Sequence, residues 1–237
     1  MNQDLLAIDN LSAGYGGRPV LESFSIDVKP GERIALIGPN GCGKSTLLRT
    51  VTAEVPESSG TVRFNGEDIT DLETDQIVGR GIGYLRQTRN IFPGLTVGEN
   101  LELAAINGGN RSARSLDGVM EAFPILQGRR SVRAGLMSGG ERQALAAAMA
   151  LMQPVSLLLL DEPVAGLSQK SALELLEGIE RLQRTEGFAI IIVEHRLKLI
   201  QPRVGRVVVM VRGRICEDTT DTTLLESRER LEKHYLI

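Results

Sequence analysis

The sequence predicts an α/β fold carrying a helical insertion, and three observations lead there. Short apolar, β-branched runs punctuated by glycine alternate with amphipathic helical stretches. Three of those runs, Leu157–Leu160, Phe188–Val193 and Val207–Val211, are nearly continuous in apolar residues, the pattern of strands covered on both faces. Between Thr96 and Met152 strand-like runs give way to helical spacing, which places an inserted helical region at roughly residues 88–154.

The elements follow in chain order. Leu5–Leu11, Ser23–Val28, Glu32–Ile37, Thr61–Phe64 and Ile82–Leu85 read as strands. Helical spacing then covers Val97–Leu103 and Ser112–Phe123, and Ser138–Met152 is rich in Ala and other helix formers. The buried strand at Leu157 comes next, followed by an amphipathic helix over Leu173–Arg184 with Leu173, Leu176, Ile179 and Leu182 on one face. The last two buried strands complete the pattern. No internal repeat or linker divides the chain.

Composition removes several classes of function. The chain has 237 residues, 42% hydrophobic and 24% charged, which supports one domain with a sizeable core and excludes disordered and collagen-like proteins. Its 27 basic and 30 acidic residues leave a net charge of −3, against a general nucleic-acid binder with a basic surface. The longest apolar run, Ala144–Met152, has nine residues where a membrane span needs about 20. The start Met1-Asn2-Gln3-Asp4 has no basic stretch or apolar core of a secretory signal. Two cysteines, Cys42 and Cys216, imply no disulfide framework and a reducing cytosol, and His195 and His234 are too far apart for a local metal cluster.

The strongest motif is Gly38-Pro39-Asn40-Gly41-Cys42-Gly43-Lys44-Ser45-Thr46, a full G-x-x-x-x-G-K-S match between a predicted strand and a predicted helix. Glycines at 38, 41 and 43 let the backbone curl so that successive N–H groups point at phosphate oxygens. The helix starting near Lys44 adds its positive end. Lys44 supplies a flexible cation for the β- and γ-phosphates, and the Ser45 hydroxyl can ligate Mg²⁺. The motif therefore implies a bound nucleoside triphosphate. Cys42, at a helix N-terminus beside Lys44, is expected to be more acidic than a free cysteine. Alkylating it is expected to block nucleotide binding, with ATP protecting.

Leu157-Leu158-Leu159-Leu160-Asp161-Glu162-Pro163 delivers two carboxylates at the end of a buried strand. Asp161 there can hold the Mg²⁺ shell and Glu162 can orient and deprotonate an attacking water. Met137-Ser138-Gly139-Gly140-Glu141 opens a helix with Ser138 as N-cap and two glycines that let a ligand approach bare N–H groups.

These motifs together resemble the ATP-binding subunits of ABC transporters. Residues 38–46 match Walker A, 137–141 the signature motif and 157–162 Walker B. The resemblance spans nearly the whole chain. It implies a P-loop NTPase core (RecA-like, a mixed sheet with an antiparallel β edge) with a helical ABC-specific subdomain, the whole chain being one ATP-binding domain. It adds three residues: Tyr15 as the aromatic that stacks on adenine, Gln87 as the glutamine at the edge of the helical insertion, also near the metal, and His195 as the switch histidine. It further implies ATP and Mg²⁺ as cofactors. The nucleotide contacts would come from Tyr15, residues 38–46 and, in a head-to-tail pair, Ser138, Gly139, Gly140 and Glu141 of the opposite subunit.

The implied partners are a second ATP-binding subunit, identical or paralogous, transmembrane permease subunits and, indirectly, a periplasmic solute-binding protein. The implied location is the cytoplasmic face of the inner membrane, with Ile91–Thr96 lining the groove that receives a membrane subunit. Asn65–Thr70, Asn90–Leu101, the ending His234-Tyr235-Leu236 and Glu141 resemble the ATPases of branched-chain amino-acid importers. Lipopolysaccharide-export ATPases are similar in size and signature, and soluble ABC proteins form a further alternative that lacks support from a second ATPase domain or a coiled-coil insertion. A nucleotide-binding module without hydrolysis is opposed by Glu162 and His195. The sequence departs from the family at Ser168, Arg196 and Gly205, where aspartates are common. Pro202 is expected to shorten or bend the segment after His195.

Overall fold

The computed structural model describes residues 4–88, 90–106 and 114–235, apart from the side chains of Glu57, Arg228, His234 and Tyr235. The chain forms two compact units, one built from residues 1–77 and 189–237 and the other from 78–188.

The first unit opens with a long hairpin, β1 (Leu6–Tyr15) and β2 (Arg18–Val28), which pair antiparallel up to Tyr15 opposite Arg18. Asn10 and Ser23, both at positive φ, mark bulges that bend the ribbon. After β3 (Arg33–Ile37) the chain passes through the phosphate loop into α1 (Lys44–Val51). The strand β4 (Glu57–Phe64) adds to β1 antiparallel, and β5 (Glu67–Asp68) adds to β4. The helix α2 (Thr74–Gly79) ends this stretch of chain.

The second unit begins with β6 (Ile82–Leu85) and continues through α3 (Val97–Ile106) and α4 (Leu116–Ala122) to α5 (Gly139–Ala150). The helix expected from Ser112 starts at Leu116 because Ser115 caps it, its hydroxyl accepting the Gly118 N–H; Ser112 and Ala113 lie outside the described residues. Ala144, Leu145, Ala146, Ala147 and Ala148 of α5 are all buried, so this helix is covered on most sides. The strand β7 (Leu157–Asp161) is buried along its whole length and pairs parallel with β6. The helix α6 (Gln169–Glu186) buries Ala172, Leu175, Leu176 and Ile179, whereas Leu173 and Leu182 are only half-buried. The apolar face is therefore rotated from the expected stripe, because Phe123 packs at Gly178, between Leu175 and Ile179.

Back in the first unit, β8 (Ala189–Val193), α7 (Leu197–Ile200), β9 (Arg206–Val211), β10 (Arg214–Thr219) and α8 (Arg228–Tyr235) complete the chain. The segment after β8 is one helical turn, α7, and then a 3₁₀ turn over Gln201–Arg203 that contains Pro202. In this unit β3 lies between β8 and β9, parallel to both, with Ile37 opposite Val209, and β10 closes the edge antiparallel to β9. Parallel inner strands with an antiparallel edge make the sheet mixed, as expected. Arg206 anchors the start of β9: it makes a two-pronged pair with Asp218 of β10, meets Glu32 at 3.1 Å and donates to the Asp27 carbonyl.

Candidate functional site

In the first unit, Gly38, Gly41 and Gly43 have φ of 153°, 77° and 109°, so the loop between β3 and α1 takes a path closed to other residues. Two of them also lack room for a side chain. A Cβ at Gly38 would stand 2.0 Å from the Met210 carbonyl oxygen, and one at Gly43 2.8 Å from Met210 Cε. Lys44 is buried, and its Nζ donates to the carbonyls of Gly38 (2.8 Å) and Pro39 (3.0 Å), which points the cation along the loop. Asn40 and Gly41 are exposed at the tip, Ser45 is half-buried and Thr46 buried. The cradle fits a polyphosphate: bare backbone, one cation and the positive end of α1.

Cys42 corrects an expectation. Its thiol is buried, and that burial pushes it above the ordinary cysteine value, outweighing the nearby Lys44 whose Nζ lies 3.9 Å from Sγ. Position at a helix N-terminus suggests an acidic thiol, but desolvation of the thiolate dominates.

Tyr15 ends β1 with 41% of its surface exposed. His195 is exposed two residues after the end of β8. Beside it stands a residue to which no motif assigns a role. Glu194 is 3% exposed, and its Oε2 accepts the backbone N–H groups of His195 (2.9 Å) and Arg196 (3.1 Å). The carboxylate thus fixes the turn that presents His195. The sequence signal was present: an acid directly after five buried apolar residues has to satisfy buried donors. Arg196 joins this turn through its N–H, and Gly205 donates its N–H to the Arg33 carbonyl at the approach to β9.

In the second unit, β7 delivers both carboxylates. Asp161 is fully buried and accepts from the Tyr84 hydroxyl at 3.3 Å, while Arg86 lies over the Tyr84 ring. Glu162 follows at φ 50°, a left-handed conformation that costs an ordinary residue about 1 kcal/mol. That conformation turns its side chain to Gln87, whose Nε2 donates to Glu162 Oε2 at 2.9 Å. The structure therefore brings together two of the expected site residues from positions 75 apart. Among the described residues no group of three His, Cys, Asp or Glu side chains converges as a metal cage. Mg²⁺ bound with a nucleotide needs only one or two protein carboxylates, and buried Asp161 fits that demand.

Ser138 caps α5 reciprocally with Glu141: the Ser138 hydroxyl accepts the Glu141 N–H at 3.3 Å, and Glu141 accepts the Ser138 N–H at 2.7 Å. Arg129 adds an ion pair at 2.7 Å. These contacts, the Ser138 N–H first, hold the Glu141 carboxyl below its ordinary value. Ser138 and Gly139 remain exposed at the helix start. Ser168 also has a local role, capping α6 through the Ser171 N–H at 3.2 Å.

A mixed α/β core with a phosphate loop between β3 and α1 defines a nucleotide-binding protein of the phosphate-loop class. The sequence profile of the ABC transporter family matches residues 21–165, more than half of the chain. The chain belongs to that family and is an ATP-hydrolysing subunit of it. It is 39% identical to the high-affinity branched-chain amino acid transport ATP-binding protein BraG of Pseudomonas aeruginosa, over 93% of this chain and 95% of that one. It is 37% identical to the probable branched-chain amino acid transport ATP-binding protein LivF of Archaeoglobus fulgidus, over 97% of both. The lipopolysaccharide export system ATP-binding protein LptB of Escherichia coli K12 is 34% identical, over 98% of this chain and 96% of that one. Among solved structures, the ADP conformation of an ATP-binding cassette of an ABC transporter superposes with a TM-score of 0.79 at 28% identity, covering 98% of each chain.

Proposed function

We propose that this chain is the ATP-driven motor of an importer for branched-chain or other hydrophobic amino acids or related small solutes. The observation that carries the catalytic part is the Gln87–Glu162 pair, beside the buried carboxylate of Asp161. Similarity to BraG and LivF over more than nine-tenths of the chain supports the substrate class. Similarity to LptB supports a second reading, lipopolysaccharide export.

In this reading the whole chain is one ATP-binding domain with a helical subdomain at about 88–154. Residues 38–46 hold the triphosphate and Tyr15 stacks on adenine. Lys44 neutralises the β- and γ-phosphates. Ser45, Gln87 and Asp161 would hold Mg²⁺, which would neutralise charge developing on the phosphates. Glu162 orients and deprotonates the attacking water, and Gln87 holds the Glu162 carboxylate in place. His195, fixed by Glu194, stabilises the transferring phosphoryl group. Ser138, Gly139, Gly140 and Glu141 meet the nucleotide of a second cassette, so that ATP closes the pair and hydrolysis reopens it.

Among the described residues no helix is long and apolar enough to cross a membrane. In this reading the motor acts peripherally, at the cytoplasmic face of the inner membrane, on transmembrane permease subunits served by a periplasmic solute-binding protein. Two experiments test the reading. Glu162→Gln should retain ATP binding and nearly abolish turnover; hydrolysis at the wild-type rate contradicts the assigned base. Disrupting the gene should abolish uptake of radiolabelled leucine, whereas intact uptake with lost surface lipopolysaccharide selects the export reading.

A further inference from the structure

Gly213 occupies the turn between β9 and β10, and its hydrogen bonds reach two other parts of the first unit. Its N–H donates to the Cys42 carbonyl of the phosphate loop at 2.8 Å, and its own carbonyl accepts the Glu22 N–H of β2 at 3.3 Å. The turn stands at the right end of the sheet for such a role. Because β9 runs parallel to β3 with Val209 opposite Ile37, the turn emerges beside the phosphate loop, at the carboxyl ends where open α/β sheets bind ligands. The strand leading into it presses on the same loop, since Met210 limits the space at both Gly38 and Gly43. Gly213 has no freedom of its own: its φ is 77°, and a Cβ there would stand 2.2 Å from the Val20 carbonyl oxygen.

We propose that Gly213 is a positioning residue for the nucleotide, its backbone N–H fixing the phosphate loop and its carbonyl fixing β2. This rests on the reading of the loop as a triphosphate cradle. The Cys42 carbonyl faces the Gly213 turn rather than the loop's own Lys44, which takes the carbonyls of Gly38 and Pro39. An outward carbonyl held by a fixed donor cannot rotate, and the Cys42–Gly43 peptide, with glycine on either side of Cys42, otherwise turns easily. Holding it keeps one phosphate donor preorganised, so that binding does not have to order it. The bond to Glu22 ties the same point to β2, whose Arg18 pairs with Tyr15. One residue, through the peptide on each side of its Cα, thereby sets the register between the loop and the strand pair that ends at the aromatic ring.

The test uses the full chain with Mg²⁺·ATP. Gly213→Ala should raise KM and the ATP Kd by about tenfold or more while kcat at saturating ATP stays within about twofold, the pattern of lost uniform binding. Arg212→Asn is the control: Arg212 sits at φ 48°, which Asn tolerates, and this change in the same turn places no Cβ against the Val20 carbonyl, so KM should stay within about twofold of wild type. In wild-type protein, hydrogen exchange at the Gly213 amide should slow when ATP saturates the loop. A folded Gly213→Ala protein with unchanged KM and Kd, or one that loses kcat alone, overturns the proposal. If Gly213→Ala does not fold, unchanged exchange at Gly213 in ATP-saturated wild type overturns it. Failure of the underlying reading looks different, because wild type itself would then not bind ATP.

Discussion

Replacing Glu194 by Ala removes a carboxylate that is 3% exposed and that accepts two backbone N–H groups, those of His195 at 2.9 Å and Arg196 at 3.1 Å. Each donor stranded away from water costs about 1–3 kcal/mol. His195 is exposed, so water reaches part of this turn and draws the sum toward roughly 2–4 kcal/mol. For a chain of this size, where 1 kcal/mol moves Tm by about 2–4 °C, the fall is about 4–16 °C. Glu194→Gln keeps one oxygen at the same reach while it exchanges the other for an NH₂ group and removes the charge, so its cost stays below that of the Ala variant, about 1 kcal/mol. Thermal unfolding of both variants, followed by circular dichroism, gives the comparison. Turnover gives a second axis: freeing the His195 turn should lower kcat in the Ala variant more than in the Gln variant. An Ala variant within about 2 °C of wild type refutes the argument, as does a Gln variant equally damaged.

Two further outcomes follow from the other titrating groups. Glu141 is held below its ordinary carboxyl value, so its contribution is complete above pH 4.5 and is lost as pH falls through the lowered folded value. Glu141→Gln should therefore cost about 1 kcal/mol at pH 7 and lose that difference in acid, as denaturation at a series of pH values will show. Cys42 should react with iodoacetamide far more slowly than exposed Cys216 at pH 7, and gain on it as pH rises, because burial raises its thiol. Mass mapping of the labelled peptides measures this, and equal rates would contradict the burial.

The legible parts of the fold were those whose physics is local. The strands β7, β8 and β9 could be read because strands covered on both faces need unbroken apolar runs. The phosphate loop was legible because its glycine spacing encodes a backbone path, and the φ values at Gly38, Gly41 and Gly43 match it. Asp161 and Glu162 could be placed at a strand end, yet nothing in their spacing foretold the φ of 50° that turns Glu162 to Gln87. Cys42 misled because its neighbours in sequence argue for a low value, whereas burial depends on residues far along the chain. The same distance hid the bond from Gly213 to Cys42. The strand β10 escaped notice since Arg214-Ile215-Cys216-Glu217-Asp218-Thr219 has no apolar run, being an edge strand exposed at alternate residues. The face of α6 was misplaced because the position of Phe123, rather than the count of leucines, decides which side is buried.

The central claim is that ATP joins two of these cassettes and that its cleavage separates them. Static light scattering of the Glu162→Gln chain, with and without saturating Mg²⁺·ATP, tests it most directly. The account predicts the mass of one chain, 25.7 kDa, without nucleotide and about twice that with ATP, reverting when ADP replaces it. A mass that stays at one chain under saturating ATP contradicts it.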